Sequence, residues 1–295
     1  MSPPNDSNKV VIITGLSQGI GQSIAKDFAS SGYNVLVTSP NEKELKNIVA
    51  NISSEIGNNN KVSYLVGDIS EKAFADTLME EAIKKWDRID VLINNGKITN
   101  NPKITSKEEI IPENKLLQEQ QQQSSYFVPE EYQTSDPLIR GMYYCIKAAL
   151  TRMLPNNYDN AAIINISSCQ GCITQQSVDS FTEYNFGVDP YVDSMARIET
   201  LTKSIALELA DKGIRVNGIV PGLVFSDISE ELVEDTNKRN YKENEVPLGR
   251  IAKPQEVSKV ALFLASKEAS YITGAMIPVD GGLMLKRPNY FAEVI

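Results

Sequence analysis

Short apolar runs alternate with stretches of helical periodicity along most of this chain. The first run, VVIIT from Val10 to Thr14, leads into Gly15, and from Ile20 to Phe28 the apolar residues take helical spacing. The same alternation predicts strands over 35–37, 62–66, 89–93, 162–166, 215–220 and 276–279, and helices over 42–56, 73–86, 138–153, 191–210 and 256–265. Near-continuous apolar strands between helices are typical of a parallel sheet covered on both faces. We therefore expect a single α/β domain over residues 1–295, with a doubly wound parallel sheet of seven strands.

The composition excludes several classes of function. The 295 residues carry a net charge of −9 and have a pI near 4.8, which disfavours nucleic acid or an anionic membrane as a partner. No apolar stretch approaches the roughly 20 residues of a membrane span, and the N-terminus has no secretory pattern, so we expect a cytoplasmic protein. The sequence has no histidine, which excludes Ser-His-Asp and Cys-His catalysis and leaves too few ligands for an ordinary zinc site.

A glycine-rich turn joins the first predicted strand to the first predicted helix. Its residues include Gly15, Ser17, Gln18, Gly19, Ile20 and Gly21. Glycines allow a tight turn and close approach of the backbone, while a helix N-terminus offers N–H groups and a positive dipole end to a pyrophosphate. Such a turn can also serve packing alone, but the strand-helix alternation around it favours a Rossmann-type domain that binds a nucleotide.

Several further motifs follow this turn in order. They are VGDIS (66–70), NNG (94–96), INISS (164–168), KSIALELADKGIRVNGIVPG (203–222), VPLGRIAKPQEV (246–257) and YITGAMIPVDGG (271–282). Together with TGLSQGIG (14–21), this series resembles the short-chain dehydrogenase/reductase family, in its 3-oxoacyl-reductase-like branch. The resemblance spans nearly the whole chain and implies an oxidoreductase fold that acts on a small-molecule carbonyl or secondary alcohol.

The resemblance also implies NAD or NADP as cofactor. The residues that would bind it are Gly15, Ser17, Gln18, Gly19, Ile20, Gly21, Asp68, Ile69, Asn94, Gly96, Tyr191, Pro221, Gly222, Val224 and Ser226. The second strand ends in Thr38-Ser39-Pro40, with neither the acid that binds the ribose of NAD nor the arginine that favours NADP. These residues leave the choice between the two cofactors open.

Members of this family catalyse with an Asn-Ser-Tyr-Lys tetrad, and this chain has only the serine and the tyrosine. By resemblance, Ser168 hydrogen-bonds the substrate oxygen and Tyr191 is the general acid/base, with Tyr184 a weaker alternative for the second role. The position of the lysine is occupied by Met195, and the position of the asparagine by Leu138. Two of the four catalytic roles therefore have no chemical equivalent here.

The loss of the lysine has a physical consequence. Positions four apart share a helix face, so an ammonium at 195 would lie beside Tyr191 and assist the loss of its proton. Loss of positioned acid–base help typically costs about 10²- to 10⁴-fold in rate. Lys97, after the NNG turn, is a candidate replacement, although a solvated lysine at the start of a loop is the simpler interpretation. Arg197 is expected on another face of the helix.

Two insertions relative to the family pattern flank the expected pocket. One is a polar segment over 97–129 with a glutamine run at 120–123, and the other covers 172–190, directly before the active-site helix. Both are candidate contacts for a protein partner. Cys169 and Cys172 form a CxxC beside Ser168, which suits either packing or a redox pair. By resemblance, the helices over 138–153 and 191–210 would pair in a homodimer or homotetramer.

Two hypotheses follow. The first is an NAD(P)-dependent oxidoreductase of reduced rate, with Tyr191 as proton donor and Ser168 as its partner on the substrate oxygen. The second is a pseudoenzyme, a catalytically inactive protein that binds a dinucleotide as a sensor or acts as a scaffold.

Overall fold

The computed structural model describes residues 8–58, 61–96, 134, 136–156, 160–169, 190–225 and 243–285. Its strands form one sheet of seven: β1 (Val10–Thr14), β2 (Asn34–Ser39), β3 (Val62–Val66), β4 (Val91–Asn94), β5 (Ala162–Ile166), β6 (Arg215–Pro221) and β7 (Met276–Val279). The spatial order is β3-β2-β1-β4-β5-β6-β7, and every neighbouring pair is parallel. The predicted doubly wound Rossmann-type sheet is confirmed.

Helices connect successive strands. They are α1 (Ile20–Ser30), α2 (Glu42–Ile56), α3 (Lys72–Trp86), α4 (Pro137–Asn156), α5 (Pro190–Leu209) and α6 (Pro254–Ala265). Short 3₁₀ turns follow at Ala210–Lys212, Lys267–Ala269 and Leu283–Leu285. The chain order reverses between β1 and β4, which creates a crevice at the carboxyl ends of these two strands.

Two hydrophobic clusters cover the two faces of the sheet. One contains buried residues of α1, α2 and α6, with Ile24, Leu45 and Leu264 among them. The other contains buried residues of α3, α4 and α5, with Leu78, Ile139 and Ile198 among them. Because both faces are covered, the central strands β1, β4, β5 and β6 are buried along their whole length, which explains why apolar residues predominate in them.

Side-chain hydrogen bonds explain where the element bounds differ from the sequence prediction. We expected β4 from residue 89, but it begins at Val91 because the Asp90 carboxylate accepts from Val10 N at 2.8 Å and pairs with Arg88. We expected α4 from residue 138, but it begins at Pro137 because Asp136 Oδ1 accepts from Leu138 N at 2.8 Å. A proline in the first helical turn after an aspartate cap is a common start of a helix.

The two predicted insertions fall almost wholly outside the described residues. All of 97–129 lies outside them, and so does 172–190 apart from residue 190, the first of α5. Within the described part of the chain, no helix is long and apolar enough to cross a membrane.

Candidate functional site

The glycine-rich turn packs against the turn that follows β4, at the point where the strand order reverses. Gly15 has a φ of +62°, and a Cβ added there would lie 2.1 Å from the carbonyl oxygen of Asn95. Asn95 fixes the turn, since its Nδ2 donates to Gly15 O at 3.0 Å and its N donates to Thr14 Oγ1 at 3.3 Å. Only glycine fits this conformation and this approach of two backbones.

The N-terminus of α1 fits a pyrophosphate. Gly19 precedes the helix with a φ of 90° and its N-cap makes no side-chain hydrogen bond, and the first turn contains no acidic residue. The positive end of the helix dipole is therefore not neutralised by a side chain of its own first turn. Leu16 N donates to Thr38 O at 2.9 Å, which holds the turn against β2. These features suit the dinucleotide that the sequence predicts.

The other predicted cofactor residues surround the same edge of the sheet. Asp68 is exposed after β3, and its Oδ1 accepts from Ser70 N at 2.9 Å. The neighbouring Ile69 lies against Gly141 of α4, where an added Cβ would be 2.7 Å from its Cγ1. These contacts place this predicted cofactor segment between β3 and α4.

The loop after β6 is fixed by backbone hydrogen bonds. Gly222 N donates to Val279 O at 3.0 Å, and Val224 pairs with Ala252 in an isolated bridge. Pro221 is the last residue of β6. These contacts fix the position of three of the predicted cofactor residues, while the fourth, Ser226, lies outside the described residues.

The two residues that the resemblance predicts to be catalytic lie at the carboxyl end of β5 and in the first turn of α5. Ser168 follows β5 and is half-buried, and Tyr191 is half-buried against the cluster formed by α3, α4 and α5. The two elements are joined by Ser167, whose Oγ donates to Met195 O at 3.1 Å. This hydrogen bond joins the segment that follows β5 to the N-terminal part of α5, the two segments that carry the predicted catalytic residues.

The two positions at which the resemblance predicts lost tetrad residues are buried in the core. Met195 is 3% exposed and Leu138 is 7% exposed, and both belong to the cluster on which Tyr191 rests. The Leu138 side chain lies over Gly96, with its Cδ1 1.9 Å from where a Cβ at Gly96 would be. Apolar side chains thus occupy the places where the family pattern puts an amide and an ammonium.

The structure describes only some of the other residues that the sequence suggested for the site. Arg197 is exposed and pairs with Asp193 at 2.8 Å. Cys169 is buried, whereas Cys172, Lys97 and Tyr184 lie outside the described residues. In the described part of the chain, no three acidic or cysteine side chains are grouped as metal ligands would be.

The sequence interpretation missed a buried polar chain beneath the site. Asn94 Nδ2 donates to Asn165 Oδ1 at 2.9 Å, and Asn165 Nδ2 donates to Thr202 Oγ1 at 2.9 Å. It links β4, β5 and α5 across the sheet. The asparagines at the ends of two apolar strands were the available signal, but their pairing depends on the parallel register.

Asp136 is a second residue that the sequence interpretation missed. Its Oδ2 accepts from Ser194 Oγ at 2.5 Å, while its Oδ1 accepts from Leu138 N and Ile139 N. One carboxylate therefore both caps α4 and links it to α5, next to Met195. The signal in the sequence was the Asp-Pro pair, which is typical of a helix start.

We expect Asp136→Ala to lower the free energy of unfolding by about 1–3 kcal/mol, because it removes a helix cap and leaves the buried Ser194 hydroxyl without this acceptor. Chemical denaturation would measure the change. Asp211→Ala, which removes a carboxylate whose side chain is 78% exposed, is the control and should change stability by less than about 0.5 kcal/mol. Equal effects of the two substitutions would contradict the role assigned to Asp136.

Comparison with known proteins identifies the family. The model of the family described as short chain dehydrogenase matches residues 9–237. The chain belongs to the short chain dehydrogenase family. Among curated members, the 3-oxoacyl-[acyl-carrier-protein] reductase of Chlamydia muridarum is 32% identical over 276 residues, covering 94% of this chain and 97% of the relative. L-rhamnose-1-dehydrogenase of Scheffersomyces stipitis is 30% identical over 280 residues, covering 95% and 97%.

Solved structures share the fold. A short-chain type dehydrogenase/reductase from Mycobacterium marinum matches with a TM-score of 0.69 and 26% identity, covering 94% of this chain and 95% of that one. The Pseudomonas aeruginosa RhlG/NADP active-site complex matches with a TM-score of 0.74 and 23% identity, covering 96% and 100%. The predicted membership in the 3-oxoacyl-reductase-like branch of the short chain dehydrogenase family is confirmed.

Proposed function

We propose that this chain binds NAD or NADP and retains slow oxidoreductase activity on a carbonyl or secondary alcohol. The observation that carries the proposal is the glycine-rich turn, which is held against Asn95 at the switch point of the sheet beside a helix N-terminus with no side-chain cap. This is the arrangement that accepts a dinucleotide pyrophosphate.

The chemistry divides between the cofactor and two side chains. When bound, the reduced dinucleotide supplies a hydride to the carbonyl carbon. Tyr191 donates a proton to the carbonyl oxygen, and Ser168 hydrogen-bonds the same oxygen. A neutral phenol can donate a proton without help from an ammonium, whereas removal of a proton from an alcohol needs the ionised phenol. We therefore expect reduction to be impaired less than oxidation.

The relatives supply probes for the substrate class. One is named for reduction of a 3-oxoacyl group and another for dehydrogenation of a sugar. An acetoacetyl thioester and an aldose are therefore the first substrates to test, in the reductive and oxidative directions respectively.

A second candidate function is binding without catalysis. It is favoured by the burial of Met195 and Leu138 in one apolar cluster, which leaves neither an ammonium nor an amide at these two tetrad positions. In this case the protein senses a dinucleotide or acts as a scaffold.

We also propose a cytoplasmic homo-oligomer that pairs through α4 and α5. Leu207 of α5 is 79% exposed, which suits such a contact.

Fluorescence titration with NADH and NADPH, followed by steady-state assays, tests the proposal. We expect a micromolar-range Kd for at least one cofactor and slow reduction of the acetoacetyl thioester. Tyr191→Phe should lower the rate at least about tenfold, because it removes the proton donor. Tyr144→Phe is the control, since it removes the hydroxyl of another half-buried tyrosine.

The outcomes separate the two candidates. Cofactor binding without measurable turnover favours the pseudoenzyme. Turnover that Tyr191→Phe leaves unchanged contradicts the role of this tyrosine, and the absence of binding to either cofactor contradicts the proposal as a whole.

A further inference from the structure

A carboxylate reaches the glycine-rich turn from the start of α2. Glu44 Oε1 accepts a hydrogen bond from Gln18 N at 3.4 Å. This residue is in the first turn of α2, and its side chain is only partly exposed. A negative charge therefore lies beside the turn, on the side that faces the carboxyl end of β2.

Local hydrogen bonds hold Glu44 in this place. Its Oε2 accepts from Asn41 Nδ2 at 3.2 Å, and its N donates to Asn41 Oδ1 at 3.2 Å. Asn41 N in turn donates to Ser39 Oγ at 3.3 Å, at the last residue of β2. The carboxylate is thus fixed between β2 and the glycine-rich turn by contacts at both ends.

The Glu44 carboxylate lies where the adenosine ribose of a bound dinucleotide is expected. In Rossmann-type domains the ribose lies at the carboxyl end of the second strand, and an acid roughly twenty residues after the glycine motif binds its 2′-hydroxyl in NAD-binding members. β2 ends without such an acid. Glu44 comes at about the right distance along the chain and is delivered to the same place by α2.

The charges near Glu44 do not favour a phosphate. Lys46, on the same helix, pairs with Glu42 at 2.6 Å. Lys43 is exposed and adjacent to Glu44 in the helix, and neighbouring helical positions do not face the same way. A 2′-phosphate brought to this place would meet the carboxylate of Glu44 at short range.

We propose that Glu44 makes this site selective for NAD over NADP, as the acceptor for the ribose 2′-hydroxyl and a source of repulsion for a 2′-phosphate. The inference rests on the proposed dinucleotide binding and adds the choice of cofactor to it. A charged hydrogen bond gained and a repulsion avoided are each worth about tenfold in affinity.

Binding measured without catalysis tests this inference. Titrations would follow the fluorescence of NADH and NADPH with the wild type, Glu44→Gln and Glu55→Gln. Competition by 5′-AMP and by adenosine 2′,5′-bisphosphate isolates the added phosphate. The control Glu55→Gln removes the same charge from the last turn of α2, where Glu55 pairs with Lys26.

We expect the wild type to bind NADH at least about tenfold more tightly than NADPH. Glu44→Gln should bring the two affinities to within about threefold, while Glu55→Gln keeps the preference. Raising the salt concentration should narrow the preference in the wild type, since part of it is charge repulsion.

Three results would overturn the inference. Equal or tighter binding of NADPH by the wild type would do so, as would a preference for NADH that Glu44→Gln leaves intact. In both cases the proposed dinucleotide binding survives. Failure to bind either nucleotide would overturn the proposed function itself, and the selectivity with it.

Discussion

Met195→Lys is expected to raise the rate of carbonyl reduction by about 10²-fold over the wild type. The new ammonium would be one helical turn from Tyr191 on the same face of α5, where it favours transfer of the phenolic proton. It would also supply a donor to the ribose hydroxyls, which a thioether cannot do. Steady-state rates with saturating reduced cofactor measure the change.

The substitution has a structural cost that the experiment must separate from its chemistry. Met195 is 3% exposed in an apolar cluster, so a lysine there lowers stability unless its flexible stem carries the ammonium into the crevice. Thermal unfolding would set a temperature at which the variant is folded. Met195→Leu is the control, because it keeps an apolar side chain of similar size and should stay as slow as the wild type. A folded Met195→Lys that is no faster would show that the missing ammonium does not limit turnover.

Gly15→Ala is expected to disrupt both stability and nucleotide binding. The added Cβ would lie 2.1 Å from the backbone oxygen of Asn95, so one of two fixed backbones must move. With the cost of a left-handed conformation, we expect a loss of about 2–4 kcal/mol in the free energy of unfolding. The shifted turn also moves the N-terminus of α1 from the pyrophosphate, which should weaken cofactor binding more than about tenfold.

Gly57→Ala provides a matched control for this prediction. Gly57 follows α2 with a φ of +66°, almost the same as Gly15, but nothing in the described part of the chain lies within 4 Å of an added Cβ. It should cost only about 1 kcal/mol and leave cofactor affinity unchanged. The difference between the two variants isolates the contact with Asn95, and equal losses would show that backbone conformation alone requires glycine at 15.

Most of the fold could be predicted from sequence because local patterns carried it. Strands β1, β3, β5 and β7 were expected at their observed bounds, as each is a short run rich in apolar or β-branched residues between polar turns. The predicted start of β4 was wrong because the Asp90 side chain accepts a hydrogen bond from Val10 N, which the apolar pattern does not reveal. The helix α6 begins two residues before its expected start, at Pro254, a residue type favoured at helix starts.

The site was predictable only in part. The glycine-rich turn and the positions of Ser168, Tyr191, Met195 and Leu138 follow from motif order. The contact of Glu44 with Gln18 joins two elements that are far apart in sequence, and it depends on how α2 packs beside the turn. The same holds for Leu138 over Gly96, since no periodicity indicates which side chain covers a glycine in the turn after a strand.

The common burial of Leu138 and Met195 affects how this protein can change over generations. Each substitution back to an amide or an amine would place a polar group among apolar neighbours, and each alone would restore only part of the tetrad. Under the proposed tetrad assignment, each single substitution would lower stability, and the gain in rate would come mainly with a lysine at 195. The stability cost at two buried positions therefore disfavours a stepwise return to the full tetrad.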